Sequence, residues 1–82
     1  MFYTYILKSL KDNRTYVGYF FDVQKRLCEH NSGRVKATKN RIPLEILFFE
    51  QFETEKEAKK RELWWKSGAG RRKLGEYFEK NK

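Results

Sequence analysis

Phe2-Tyr3-Thr4-Tyr5-Ile6-Leu7-Lys8, then Lys11-Asp12-Asn13-Arg14, then Thr15-Tyr16-Val17-Gly18-Tyr19-Phe20: two runs rich in aromatic and β-branched residues flank a stretch of turn chemistry, and together they read as a β-hairpin. With Asp12 and Asn13 at the tip, residue 16 faces residue 9. Tyr5 and Tyr16 then point to the same side of the sheet, a few residues apart along the strands. Two strand tyrosines pack into a core by default, and their close approach would need twist or a bulge.

Outward from the hairpin, Asp22 can cap a helix running to about His30 or Asn31, with Ser32-Gly33 as its stop. Residues 33–42 lack hydrophobic periodicity and form a basic loop. After Pro43, Leu44 to Phe52 reads as a third strand, with Leu44, Ile46 and Phe48 on one face and Leu47 and Phe49 on the other. Thr54-Glu55-Lys56-Glu57 is a capping box that opens a helix to about Lys66. Ser67-Gly68-Ala69-Gly70 is expected to break that helix before a last one from Arg71 to Glu79. The fold class is therefore α+β, a three-stranded sheet with helices packed on it in the order β-β-α-β-α-α, and residues 1–82 form one domain.

A chain of 82 residues has a modest core, and Cys28, its single cysteine, excludes an internal disulfide and a cysteine-based zinc site. Aromatic residues at 17% supply the bulk instead. The longest apolar run, Ile46-Leu47-Phe48-Phe49, is far too short to span a bilayer, and the amino end does not resemble a signal peptide. The expectation is a soluble cytoplasmic protein with no membrane partner. A net charge of +8 suggests a polyanionic partner, phosphate backbones being the commonest.

Both main helices point ionisable groups along their apolar stripe. Val23, Arg26, Leu27 and His30 stand at i, i+3, i+4 and i+7, and Ala58, Arg61, Glu62 and Trp65 repeat that spacing. Buried charge is expensive unless paired or set at a cleft edge. One outcome is an Arg–Glu pair stitching the helices together, with His30 at a helix end. The other is a cleft lined by groups suited to phosphate and metal.

In this order and spacing, Tyr3-Thr4-Tyr5, Tyr16-Val17-Gly18, the Asp22–Gly33 helix segment and Ala58-Lys59-Lys60-Arg61-Glu62 resemble the GIY-YIG nuclease superfamily, in particular its small single-domain, UPF0213-like members. The resemblance covers nearly the whole chain. It implies a three-stranded antiparallel sheet flanked by helices and assigns the functional positions to Tyr5, Tyr16, Arg26, His30 and Glu62. It also implies metal-dependent hydrolysis of DNA phosphodiesters.

Within that resemblance Glu62 is the metal ligand, suited to Mg²⁺ or Mn²⁺, and Arg26 forks onto phosphate. Tyr16 is the candidate general base and Tyr5 its support, an assignment the sequence leaves open, and His30 could accept the phenol's proton. Two positions depart from the family pattern. Tyr3 stands where the first glycine would, and Tyr19-Phe20-Phe21 replaces a more polar stretch, without the lysine some relatives place there. Those three rings are expected in the core, or stacked on unpaired bases.

Two basic clusters follow the candidate site helices: Arg34, Lys36, Lys39 and Arg41, and then Lys66, Arg71, Arg72 and Lys73 around the glycine-rich break. These are the candidate nucleic-acid contacts. The leading reading is a DNA endonuclease that selects structure rather than sequence, targeted by DNA shape or by a partner protein, with RNA not excluded. The rivals are a nucleic-acid-binding module without turnover and an interaction subunit. The latter would use Trp64 or Trp65 with the Tyr19-Phe20-Phe21 run, Trp64 being the expected exposed anchor.

Overall fold

The computed structural model describes residues 1–80, with side chains through residue 77. The elements are β1 (Phe2–Ser9), β2 (Thr15–Phe20), α1 (Val23–Asn31), β3 (Leu44–Phe52), α2 (Glu55–Lys66) and α3 (Gly68–Lys80). The strands form one antiparallel sheet in the order β2-β1-β3, the α+β arrangement expected. β1 is central, and its Thr4, Tyr5, Ile6 and Leu7 are all buried because helices cover both faces of the sheet.

The two faces carry separate cores. Tyr5, Leu7, Val23 and Leu44 pack with Tyr16, Phe20, Leu27 and Ile46 beneath α1. Ile6, Val17, Trp65 and Leu74 pack with Leu47, Phe48 and Trp64 beneath α2 and α3. Thr4 faces this second core, and its hydroxyl donates to the Ala58 carbonyl at 2.7 Å. That bond satisfies a buried hydroxyl and draws α2 onto the sheet. Both helix caps form as their residue types dictate: Asp22 Oδ1 accepts from the Lys25 amide at 3.1 Å, and Thr54 Oγ1 from the Glu57 amide at 3.2 Å.

Three local expectations are corrected. The hairpin pairs Lys8 with Thr15 and Leu7 with Tyr16, two residues away from the register that an Asp12-Asn13 tip implies. Buried Ser9 is the reason. Its Oγ accepts from the Lys11 and Asp12 amides and donates to the Arg41 carbonyl at 2.6 Å, holding a wider loop in which Asn13 takes φ 61°.

In β3, Phe48 faces Ile6 whereas Ile46 faces Leu7, so Leu47 is an extra, bulged residue. Phe48 therefore joins the α2 core rather than sharing a face with Leu44 and Ile46. The glycine-rich segment also does not separate two helices by four residues. Only Ser67 intervenes, and α3 begins at Gly68. A Cβ at Gly70 would strike the backbone of Trp64 and Trp65, so this glycine lets α3 turn tightly against the end of α2.

Candidate functional site

The hairpin register brings the two tyrosines closer than the sequence implied. Tyr5 lies directly opposite Gly18, and Tyr16 opposite Leu7, so the tyrosines are diagonal neighbours on the α1 face. The Tyr5 ring lies across β2, and a Cβ at Gly18 would fall on its hydroxyl. The glycine is required by this close approach, which frees the Tyr5 hydroxyl to reach α1.

There it meets His30, which is fully buried. The Tyr5 hydroxyl and His30 Nε2 are 3.2 Å apart, and His30 Nδ1 is 2.7 Å from Thr38 Oγ1. The Arg26 guanidinium lies near enough to the same phenol to favour its ionised form. The buried imidazole thus has a partner at each nitrogen, the Tyr5 phenol at Nε2 and the Thr38 hydroxyl at Nδ1, with donor and acceptor at each set by its tautomer. Thr38, wholly buried in the basic loop, escaped the sequence reading because an isolated threonine there carries no periodic or motif signal.

Burial pushes the Tyr5 phenol up to about 12, with Tyr16 and Glu62 adding to the rise and Arg26 opposing it. Burial, reinforced by Arg26, pushes the His30 imidazole down to about 4. Near neutral pH, then, Tyr5 is a hydroxyl and His30 an uncharged imidazole. His30 touches Tyr16 only through ring packing, with centroids 5.1 Å apart; its Nε2 is engaged by Tyr5 and its Nδ1 by Thr38.

Tyr16 is half-buried, and the Lys66 Nζ lies 6.0 Å from its ring centroid. Lys66 also pairs with Glu62 one turn earlier on α2, at 3.5 Å. Glu62 is close enough to influence the Tyr5 phenol. Helices on opposite faces of the sheet thus contribute to one cluster around β2. Arg26 lies over the Phe20 ring at 5.2 Å and reaches Glu29 Oε2 at 3.4 Å. Tyr5, Tyr16, Arg26, His30 and Glu62 converge.

Arg61, at the matching stripe position on α2, is not part of the cluster. It forks onto Glu50 of β3 with bonds of 3.0 and 3.2 Å, and Glu50 also accepts the Trp65 indole N–H at 2.7 Å. The helix-to-helix ion pair considered for the two stripes does not form. Arg61 also covers the Trp64 ring at 4.2 Å, which leaves Trp64 half-buried instead of the exposed anchor expected. Of the Tyr19-Phe20-Phe21 rings, Phe20 joins the core, while Phe21 stacks on it and stays 52% exposed.

Arg34, Lys36 and Lys39 are exposed, as are Lys66, Arg71, Arg72 and Lys73. Arg41 is tied into the hairpin, its Nη2 donating to the Thr15 carbonyl at 3.3 Å and its Nε 3.3 Å from Asp12. Among the described residues no group of three or more His, Cys, Asp or Glu side chains could hold a metal ion. The hard oxygen of Glu62 fits an ion such as Mg²⁺ that completes its shell from water and phosphate. No helix of the described residues is long and apolar enough to cross a membrane.

The model of the GIY-YIG catalytic domain matches residues 1–79. The chain is 42% identical to the UPF0213 protein SSP2268 of Staphylococcus saprophyticus, covering 88% of each chain. It is 40% identical to the UPF0213 protein YazA of Bacillus subtilis, covering 95% of this chain and 78% of that one. The solution NMR structure of the UPF0213 protein BH0048 from Bacillus halodurans superposes with a TM-score of 0.54 at 33% identity, covering 94% of this chain and 85% of the other.

Proposed function

The chain belongs to the GIY-YIG family, and within it to the UPF0213 proteins, and from that premise we propose that the cluster around Tyr5, Tyr16, Arg26, His30 and Glu62 binds a phosphate of a nucleic-acid backbone. Arg26 carries this reading. Its side chain is 29% exposed, lies beside a phenol that stays protonated, and has a helix-neighbour glutamate at 3.4 Å as counter-charge. A pair so long and so accessible is weak, which leaves the guanidinium fork available to phosphate. The +8 charge and the exposed basic clusters supply the attraction for the rest of the strand. On this reading the chain is a cytoplasmic nucleic-acid-binding module built on a nuclease scaffold. It selects its partner by shape or through another protein.

A second reading, DNA hydrolysis, is favoured by the unequal surroundings of the two tyrosines. Tyr5 is buried and held as a hydroxyl, so it orients the phosphate or the attacking water. Tyr16 is half-exposed beside the Lys66 ammonium and serves as the base. At 6.0 Å from its ring, the Lys66 ammonium takes the part of the lysine missing after Gly18.

Tyr16 first gives its phenol proton to solvent, and as the phenolate it accepts the attacking water's proton as the new P–O bond forms. The bond to the leaving oxygen breaks, and that oxygen takes a proton from solvent. Arg26 offsets the charge gathering on the phosphoryl oxygens. Glu62, with water and phosphate, would hold Mg²⁺ or Mn²⁺, whose contribution is Lewis-acid stabilisation of that same charge.

The test incubates labelled single-stranded, duplex, flap and Holliday-junction DNA, and matching single-stranded RNA, with Mg²⁺ or Mn²⁺. Wild type is compared with Arg26→Ala, Tyr16→Phe and Glu62→Gln. Salt-sensitive binding that Arg26→Ala weakens, without cleavage, supports the binding module. Cleavage lost on Tyr16→Phe and Glu62→Gln supports hydrolysis. Binding or cleavage indifferent to all three variants would sink the site.

A further inference from the structure

Two open hollows meet beside β2. One, of about 300 Å³, is lined by Tyr16, Lys66 and Arg71. The other, of about 710 Å³ and nearer the hairpin turn, is lined by Arg14, Arg41 and Arg71. They share Thr15, Arg71 and Leu74 and are therefore one continuous groove. β2 is an edge strand, so no further strand of this sheet closes the groove from outside.

The charges in the second hollow come from three separate elements: the hairpin loop, the 33–42 loop and the first turn of α3. Of the three arginines, Arg41 is held in place by Asp12 and the Thr15 carbonyl. The side chains of Arg14 and Arg71 make no hydrogen bond or close ion pair among the described residues, although Asp12 lies near enough to feel Arg14 as well as Arg41. One carboxylate shared by Arg41 and Arg14 leaves a net excess of two positive charges on the walls of a single concavity. Like charges gathered in a hollow without matching acids make a seat for an anion, and guanidinium is the cation best shaped for phosphate.

We propose that this groove is a track for a nucleic-acid strand, in which Arg14 and Arg71 hold a backbone phosphate next to the one at Tyr16 and Arg26. Arg14 stands two residues from Tyr16, about 7 Å along the strand direction, the scale of one nucleotide step. The inference rests on the phosphate reading of the site and adds a direction to it: the bound strand continues past Tyr16 toward the hairpin turn. An acidic protein segment is the competing occupant.

The experiment measures binding of fluorescein-labelled single-stranded DNA against salt concentration for wild type, Arg14→Ala/Arg71→Ala, Arg26→Ala and Lys60→Ala. Lys60→Ala removes one positive charge, half the charge lost in the double variant, from the hollow beside Phe52 and Trp64. Arg14 and Arg71 are exposed, so the double variant should fold, which a thermal melt checks. The track predicts that the double variant flattens the slope of log affinity against log salt by about 1.4, and weakens low-salt binding about tenfold, whereas Lys60→Ala does neither.

A double variant that matches Lys60→Ala, while Arg26→Ala flattens the slope, overturns the track and leaves the phosphate site standing. The reverse pattern supports the track and overturns the site. Wild-type protein that binds no oligonucleotide overturns both and leaves the acidic protein segment.

Discussion

The stripes of α1 and α2 carry polar residues at the same spacing but meet opposite fates on the two faces of the sheet. Under α2, Arg61, Glu50 and Trp65 form a closed set: a forked ion pair whose carboxylate also takes an indole N–H. Its charges cancel within the fold. Under α1, Tyr5, His30 and Thr38 form a chain of uncharged groups, and Arg26 at its end has a single distant carboxylate. The charged network is self-contained and acts as architecture. The neutral one leaves a half-buried cation at its end with a single weak counter-charge. A sequence pattern that places charge on a buried stripe therefore identifies a candidate site only when the surrounding fold fails to neutralise it.

Four perturbations would break or sharpen that contrast, and Gly18→Ala should have the largest effect. Its Cβ would occupy the position of the Tyr5 hydroxyl, which is wedged among Arg26 and His30. The expected cost is about 3 kcal/mol in denaturant unfolding, together with loss of nucleic-acid binding. A stable Gly18→Ala protein with unchanged binding would show that the Tyr5 position is not critical.

The pH dependence comes next. His30 has its proton affinity lowered to about 4 from an ordinary value near 6.5, so the unfolded chain binds a proton over that interval and the folded chain does not. The stability due to neutral His30 is complete above pH 6.5. It is lost as pH falls toward 4, by up to about 3 kcal/mol. His30→Gln keeps hydrogen-bonding capacity without titrating, so its deficit relative to wild type should shrink on acidification. A constant deficit from pH 7 to pH 4 would count against a buried neutral imidazole.

On the other face, Glu50→Gln should cost about 1–2 kcal/mol, since the pair it weakens is partly exposed. It should leave DNA affinity unchanged, and a large loss of affinity would merge two networks that the structure separates. Glu29→Gln should act in the opposite sense. It removes the counter-charge of Arg26, and its Oε1 is buried without a partner. Phosphate binding should strengthen by a few-fold, about 0.5–1 kcal/mol, with little change in melting temperature. Weaker binding would mean that Glu29 positions Arg26 rather than restrains it.

Much of this was legible in the chain because it depends on neighbours in sequence. The Asp22 and Thr54 caps, the limits of β3 and the stripes bearing Arg26, His30 and Glu62 follow from residue types at short spacing. What failed was decided by partners far along the chain. Ser9 sets the hairpin register through Arg41, the bulge at Leu47 moves Phe48 between cores, and Gly70 starts α3 early by fitting against Trp64 and Trp65. The same holds within the site. Lys66 reads as a helix-end lysine until the fold sets it beside Tyr16, and Thr38 reads as loop until it meets His30.

The sequence alone determined the elements, their order and the residue types available for chemistry, since propensity, capping and periodicity act over a few residues. Only the tertiary structure decided that Tyr5 stays a hydroxyl, that His30 stays neutral, that Arg61 is consumed and that Arg26 is not. Those outcomes depend on burial and on the distance to opposite charge, and both are set when segments remote in sequence close around β2.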